Sequence, residues 1–274
     1  MSKVGTFVEL CAGLASVSLM LQGGKYARPP VSRMGSKTGY ALALLRVMGL
    51  RPGQGAEHYL WCEPDAGCRA LLHAYTDREV MREAAAIIRS WKDEEPRALW
   101  ERLRAEGPIR LAEWCGLQGG CYGGFPISEK PPTPDYNRWP GGKHPGDWPQ
   151  STAAALSATP TSVATVAPDA RTVEPIPGAV AFCDPPYVNT TGYGNDLPRA
   201  EVIELARRWA DAGARVYISE AEALPALMAD GWHSVEITSQ RIGQKRTFSK
   251  QQREWVTCSH EPAWRPAEQV GLFA

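Results

Sequence analysis

The chain has 274 residues, with 30 Lys plus Arg against 30 Asp plus Glu, so its formal net charge is zero. That balance excludes a polycation, and any contact with nucleic acid must use a local basic patch. Hydrophobic residues are 43% of the chain and charged residues 22%; no apolar run approaches the ~18 residues of a membrane helix and no cleavable leader opens the sequence, so a cytoplasmic globular protein is expected.

Thr6 to Leu10 reads as a buried strand, followed by a small-residue turn and a helix over "ASVSLMLQ". Residues 37–48 carry Leu42, Leu45 and Val47 at nearly helical spacing. His58 to Cys62 ("HYLWC") predicts a second strand, with an acid, Asp65, and a helix through Tyr75 behind it. From 76 to 115 the pattern is charged and amphipathic, hence helical and partly exposed. Between Gly116 and Thr161 the composition shifts to Gly, Pro, Ser and Thr with scattered aromatics, and an irregular insertion is expected there. Val163–Val166 and "AVAFC" (179–183) predict two more strands, Leu197 to Ala212 an amphipathic helix and "ARVYIS" (214–219) a strand. "WHSVEIT" and "REWVTCS" predict a closing antiparallel pair around a basic turn. Apolar strands alternating with helices imply an α/β fold, a doubly wound and mostly parallel sheet covered on both faces, made mixed by its last pair. The organisation read from this is one domain from 1–75 and 161–262, a helical and irregular insertion at 76–160, and a flexible tail at 263–274.

Seven cysteines occur, with no CxxC pair. An odd number without an export signal predicts free thiols. Cys115 and Cys121 lack a second ligand pair, so no metal site is expected.

The most informative stretch is "AFCDPPYVNTTGYG" (181–194). In doubly wound sheets ligands gather at the carboxyl ends of strands, and Asp184 follows such an end. Pro185 and Pro186 fix φ near −65° and remove two N–H donors. The outcome is a stiff corner whose carboxylate, carbonyls and Tyr187 ring point away from the sheet. A planar amine suits it: Asp184 and a proline carbonyl accept its two N–H bonds, and Tyr187 stacks on its ring.

This corner resembles the (D/N/S)PP(Y/F) motif of amino-group DNA methyltransferases, and the Asp form resembles the adenine-N6 enzymes of the Dam-like class. The similarity extends beyond four letters. "FVELCAGLASVSLML" (7–21) resembles that class's EPFxGxGSV cofactor loop, and "PPVSRMGSKTGYA" (29–41) its KWxGGK segment. "LWCEPD" (60–65) resembles the strand ending in an acid for the cofactor ribose, and "VAPDAR" (166–171) the short acidic motif for the cofactor adenine. Two departures are visible: Ala15 stands where the loop usually has glycine, and the GSK segment follows the first strand, as in phage-encoded members.

The resemblance implies a Rossmann-like methyltransferase sheet, S-adenosylmethionine as cofactor, and transfer of its methyl to adenine N6 in DNA by base flipping and direct in-line attack. It places Asp184, Pro185, Pro186 and Tyr187 in catalysis. Glu9, Cys11, Gly13, Ser16, Gly35, Lys37, Glu63, Asp65, Asp169, Ala170 and Asp184 fall to the cofactor, Lys37 to its carboxylate and Glu63 or Asp65 to its ribose. DNA contacts are expected from Tyr122, Arg138 and Lys143 in the insertion, and from Arg241, Lys245, Arg246, Lys250 and Arg253, a run with no acid between. The tail's Gln269-x-x-Leu272-Phe273 resembles the peptide that docks on the bacterial sliding clamp.

Rival readings remain at this point. Cytosine-N4 methylation uses the same corner, and a non-catalytic DNA-binding relative would keep the fold. Cytosine-C5 methylation needs a thiolate nucleophile, usually after a proline, whereas Cys183 precedes Asp184 on the strand. A nicotinamide dehydrogenase would carry G-x-G-x-x-G after the first strand, which "CAGLAS" lacks.

Overall fold

The structure is a computed structural model, and it describes residues 2–25, 27–33, 35–121, 124, 127, 133–136, 149–187, 197–237 and 254–266. Seven strands form one sheet: β1 (Val4–Glu9), β2 (Ala56–Cys62), β3 (Ala164–Ala167), β4 (Val180–Cys183), β5 (Arg215–Glu220), β6 (His233–Ile237) and β7 (Glu254–Cys258). Their order is β3-β2-β1-β4-β5-β7-β6. The first five run parallel, and β7 pairs antiparallel with both β5 and β6.

Strand residues alternate between the two faces, as a period of two requires. Phe7, Tyr59, Trp61, Val180, Phe182 and Tyr217 join one buried apolar cluster. Their neighbours Val8, Leu60, Cys62, Ala181, Cys183, Val216 and Ile218 join the other. This double burial is why the strands read as continuous apolar runs rather than as alternating ones. On the first face Phe7, Tyr59, Trp61 and Tyr75 form a chain of rings with centroids 6.3, 5.6 and 6.0 Å apart.

Helices α1 (Ser16–Gly23), α2 (Ala41–Val47) and α3 (Ala66–Ala74) cover that face. The layer continues through α4 (Arg78–Ser90), α5 (Pro96–Glu106) and α6 (Leu111–Gly120). Acids cap three of these helices: Asp65 accepts from the Cys68 amide, Asp77 from Glu79 and Val80, and Glu95 from Arg97 and Ala98. Gly67 lets α3 and α6 touch, since a Cβ there would lie 1.9 Å from Trp114 Nε1. On the second face α8 (Arg199–Asp211) buries Val202, Leu205, Ala206 and Trp209, and the short α9 (Pro225–Ala229) buries Leu227.

The stretch 116–161, expected to be irregular, contains one more helix, α7 (Gln150–Ala158). Its sequence "QSTAAALSA" carries four alanines with Gln150 and Leu156, all good helix formers, and Thr152, Ala153 and Leu156 are buried. Loop-like composition on its N-terminal side obscured that short signal. Buried residues of α4 to α7, among them Met81, Ile88, Trp100 and Leu156, belong to the same apolar cluster as Phe7 and Trp61. No helix among the described residues is long and apolar enough to cross a membrane.

Candidate active site

The chain leaves β1 between β2 and β4, and these neighbours reach their own loops in opposite directions along the sheet. That is the switch point where open α/β sheets bind ligands. The turn after β1 is held there by its backbone: the Leu10 amide donates to Phe182 (2.8 Å) and the Ala12 amide to Cys62 (2.9 Å). Gly13 adopts φ 53° and Ala15 φ 52°. The first suits glycine, while the second places a buried methyl in the left-handed region just before α1. A Cβ on Gly13 would meet nothing within 4 Å, so open space lies in front of this backbone.

Acids mark the strand ends around the turn. Glu63, directly after β2, accepts from the Gly13 amide at 2.7 Å and from the Asp65 amide at 2.9 Å. Burial pushes its pKa up against the pull of Arg33. Asp65 is committed elsewhere: one oxygen caps α3 and the other pairs with the buried Arg33 at 3.3 Å. Of the two ribose candidates, Glu63 is therefore the one beside the Gly13 turn. Asp169, after β3, is held below the ordinary carboxylate range by its bonds to Arg171, and Ala170 next to it is buried. Glu9 lies under the turn, its carboxylate on the Ser18 amide at 2.8 Å. Burial raises its pKa to about 7, so Glu9 shapes the loop from inside. Cys11 sits beside Cys183, and the hydrogen bond between them, with burial, keeps its thiol protonated.

The corner after β4 gathers the strongest polar contacts. Lys37 Nζ lies 2.8 Å from Asp184 Oδ1 and 4.6 Å from the Tyr187 ring centroid. Ser219, on β5, donates to the same Asp184 oxygen at 2.9 Å. The Tyr187 hydroxyl donates to Glu254 Oε1 and contacts Ser219 Oγ at 3.3 Å. Lys37 Nζ is 3.5 Å from that same Glu254 oxygen. Asp184 keeps 17% of its side chain exposed. Desolvation raises its pKa while Lys37 and Ser219 oppose the shift. Glu254 reaches about 7 for the same reason. Lys37 is carried here by a short 3₁₀ turn, Lys37–Gly39, after Gly35 at φ 80°. Ser16 Oγ ties that segment to α1 through Ser36 Oγ (2.8 Å) and Thr38 Oγ1 (3.2 Å).

Of the expected residues, Gly13 lies in the turn after β1 and Glu63, Asp169 and Asp184 follow the carboxyl ends of β2, β3 and β4, whereas Asp65 is taken up by Arg33 and the α3 cap and Glu9 lies under the turn. Lys37, expected at a cofactor carboxylate, lies on Asp184. Ser219 and Glu254 were missed. The available signal was an acid opening the antiparallel strand "EWVTC", because an antiparallel strand starts where its parallel neighbours end. Tyr122, Arg138, Lys143, Arg241, Lys245, Arg246, Lys250, Arg253, Gln269, Leu272 and Phe273 lie outside the described residues.

The strand order 3-2-1-4-5-7-6 with an antiparallel β7 is the class I methyltransferase arrangement of the Rossmann-like fold. No protein-family model matches the chain, and no curated protein sequence matches it. Among solved structures the chain is similar to the rRNA methyltransferase aviRa from Streptomyces viridochromogenes, at 13% identity and a TM-score of 0.34, over 94% of this chain and 77% of that one.

Proposed function

We propose that this chain is an S-adenosylmethionine-dependent methyltransferase acting on the N6 amino group of adenine in DNA. The observation that carries the reading is the position of Asp184. A partly open carboxylate follows the strand beside the switch point, with Tyr187 three residues on and a small-residue turn opposite.

The donor set fits the cofactor. Gly13 presents backbone to open space, Glu63 stands at the end of β2 as a ribose acceptor, and Asp169 stands at the end of β3 as an acceptor for an exocyclic amine. When bound, the cofactor supplies an electrophilic methyl group on a positively charged sulfur.

The residues of the chain supply the rest. An aromatic exocyclic amine is a weak nucleophile because its lone pair is delocalised into the ring. Asp184 and the Pro185 carbonyl accept hydrogen bonds from its two N–H groups, which favours the pyramidal nitrogen and the positive charge that grows on it, and one of these protons is lost to solvent once the nitrogen carries the methyl. Such fixed acceptors are worth roughly 3 kcal/mol each in a water-poor site. Pro185 and Pro186 keep their carbonyls aimed without cost at the moment of reaction. Tyr187 stacks on the base, offsetting with ~1–3 kcal/mol part of the cost of flipping it from a duplex. The cations from Arg241 to Arg253 and those of the insertion contact phosphates, and the tail motif at Gln269, Leu272 and Phe273 docks on a sliding clamp.

Transfer of tritiated methyl to duplex DNA, single-stranded DNA and RNA, followed by nucleoside analysis, tests the reading. N6-methyladenine in DNA is the expected product, with affinity for DNA falling steeply as salt rises. Label found only in N4-methylcytosine, only in RNA, or nowhere would overturn it.

A further inference from the structure

Two groups of the candidate site, the Tyr187 hydroxyl and the Lys37 ammonium, converge on a carboxylate that the mechanism above leaves unused. Glu254 opens β7 and is 1% exposed. It receives the Tyr187 hydroxyl on Oε1, and Lys37 Nζ stands 3.5 Å from that oxygen. A carboxylate buried this deeply is costly unless it is paired, and an apolar residue would close this strand end at less cost. Lys37 meanwhile lies 2.8 Å from Asp184. An ammonium at that distance neutralises the charge on which an attacking amine depends. Reaction therefore needs Lys37 elsewhere, and among the described residues Glu254 offers a second carboxylate 3.5 Å away.

We infer that Glu254 is a positioning residue: it anchors the Tyr187 hydroxyl and receives the Lys37 ammonium when the substrate amine takes Asp184. The inference rests on the reading of Asp184 as the amine acceptor. The ion pair changes partner by a small displacement at the end of the lysine stem, leaving Asp184 as an unshared anion facing the base. No proton is exchanged in this step. Tyr187 stays anchored, so its ring keeps the orientation in which a base stacks. Ser219 donates to Asp184 throughout, fixing the carboxylate plane while the lysine moves.

The test uses the full chain with Glu254→Gln, which keeps the acceptor for Tyr187 but removes the charge, and Glu254→Asp, which keeps the charge on a shorter stem. Steady-state methyl transfer gives kcat and KM for DNA, and calorimetry gives the cofactor Kd. In parallel, acylation of Lys37 by acetic anhydride is followed by peptide mass spectrometry in Asp184→Ala and in Asp184→Ala with Glu254→Gln, where the carboxylate that holds Lys37 in the absence of substrate has been removed. The expected result for Glu254→Gln is a kcat lowered about tenfold or more, with cofactor Kd within about twofold of the parent. Glu254→Asp should recover part of that loss, and Lys37 should acylate several-fold faster in the double variant than in Asp184→Ala alone. Parent-like kcat in Glu254→Gln, or equal acylation of Lys37 in Asp184→Ala and in the double variant, would overturn the inference. If Glu254→Gln does not fold, Glu254→Asp is judged by the same two criteria. A parent enzyme that methylates nothing refutes the proposed activity alone, and the acylation result still decides whether Glu254 holds Lys37.

Discussion

Substituting Glu9 with Gln should make the protein more stable at pH 8 and leave it nearly unchanged at pH 5. Glu9 is buried at the end of β1, and desolvation raises its pKa from 4.5 to about 7 despite the Ser18 amide. The unfolded chain ionises Glu9 at its ordinary value, so between pH 4.5 and 7 the native state holds the extra proton. Stability then falls as pH rises through that window, because the slope follows protons bound unfolded minus protons bound native. The stabilising contribution is complete below pH 4.5 and lost above 7. A displacement of this size corresponds to about 3 kcal/mol of native-state stability by pH 8, at 1.36 kcal/mol per pH unit. Gln has nearly the same shape, can accept from Ser18 through its amide oxygen and does not titrate. Urea unfolding of both proteins from pH 5 to 8.5 reads the difference directly. Glu254, also near 7, bends both curves downward and largely cancels when one is subtracted from the other. The curve for Glu9→Gln should separate from the parent above about pH 6 and lie about 3 kcal/mol higher at pH 8. Parallel curves, or a variant weaker at pH 8, would refute the claim that this carboxylate is buried without adequate compensation.

Three further outcomes follow from other parts of the molecule. Asp184→Ala should lower kcat by at least about a hundredfold while cofactor affinity by calorimetry changes little, since one fixed acceptor for the developing charge is lost. Gly67→Ala should destabilise the fold by roughly 1–3 kcal/mol in urea melts, because overlap with the Trp114 ring outweighs the ~1 kcal/mol gained from helix propensity. Asp65→Ala should cost about 3 kcal/mol or more, since it removes the cap of α3 and leaves the buried Arg33 without its carboxylate; Arg33→Met in the same chain should restore part of that loss.

The strands after which Glu63 and Asp184 stand end in short apolar runs, each closed by an acid, and such runs announce themselves because a strand end buried on both faces has no polar alternation to hide it; β3, before Asp169, is a half-exposed edge strand legible mainly from the proline and acid that close it. The Asp-Pro-Pro-Tyr corner is likewise local: proline fixes its geometry whatever surrounds it. Helix α7 was harder, because nine residues of small side chains carry little periodicity and the stretch before them is rich in Gly and Pro.

What the residues alone determined is therefore the set of strand ends and the chemistry waiting at each. What only the tertiary structure decided is which charges meet there. Lys37 and Glu254 are more than two hundred positions apart, and no pattern along the chain brings them within 3.5 Å of each other. The antiparallel entry of β7 does so, by starting that strand where β4 and β5 finish. Likewise, Glu63 and Asp65 are equivalent as written in sequence. They part only because one faces the Gly13 turn while the other is taken up by Arg33 and a helix cap. Local stiffness is encoded locally, whereas the partner of a buried charge is set by the sheet order, which is a property of the whole chain.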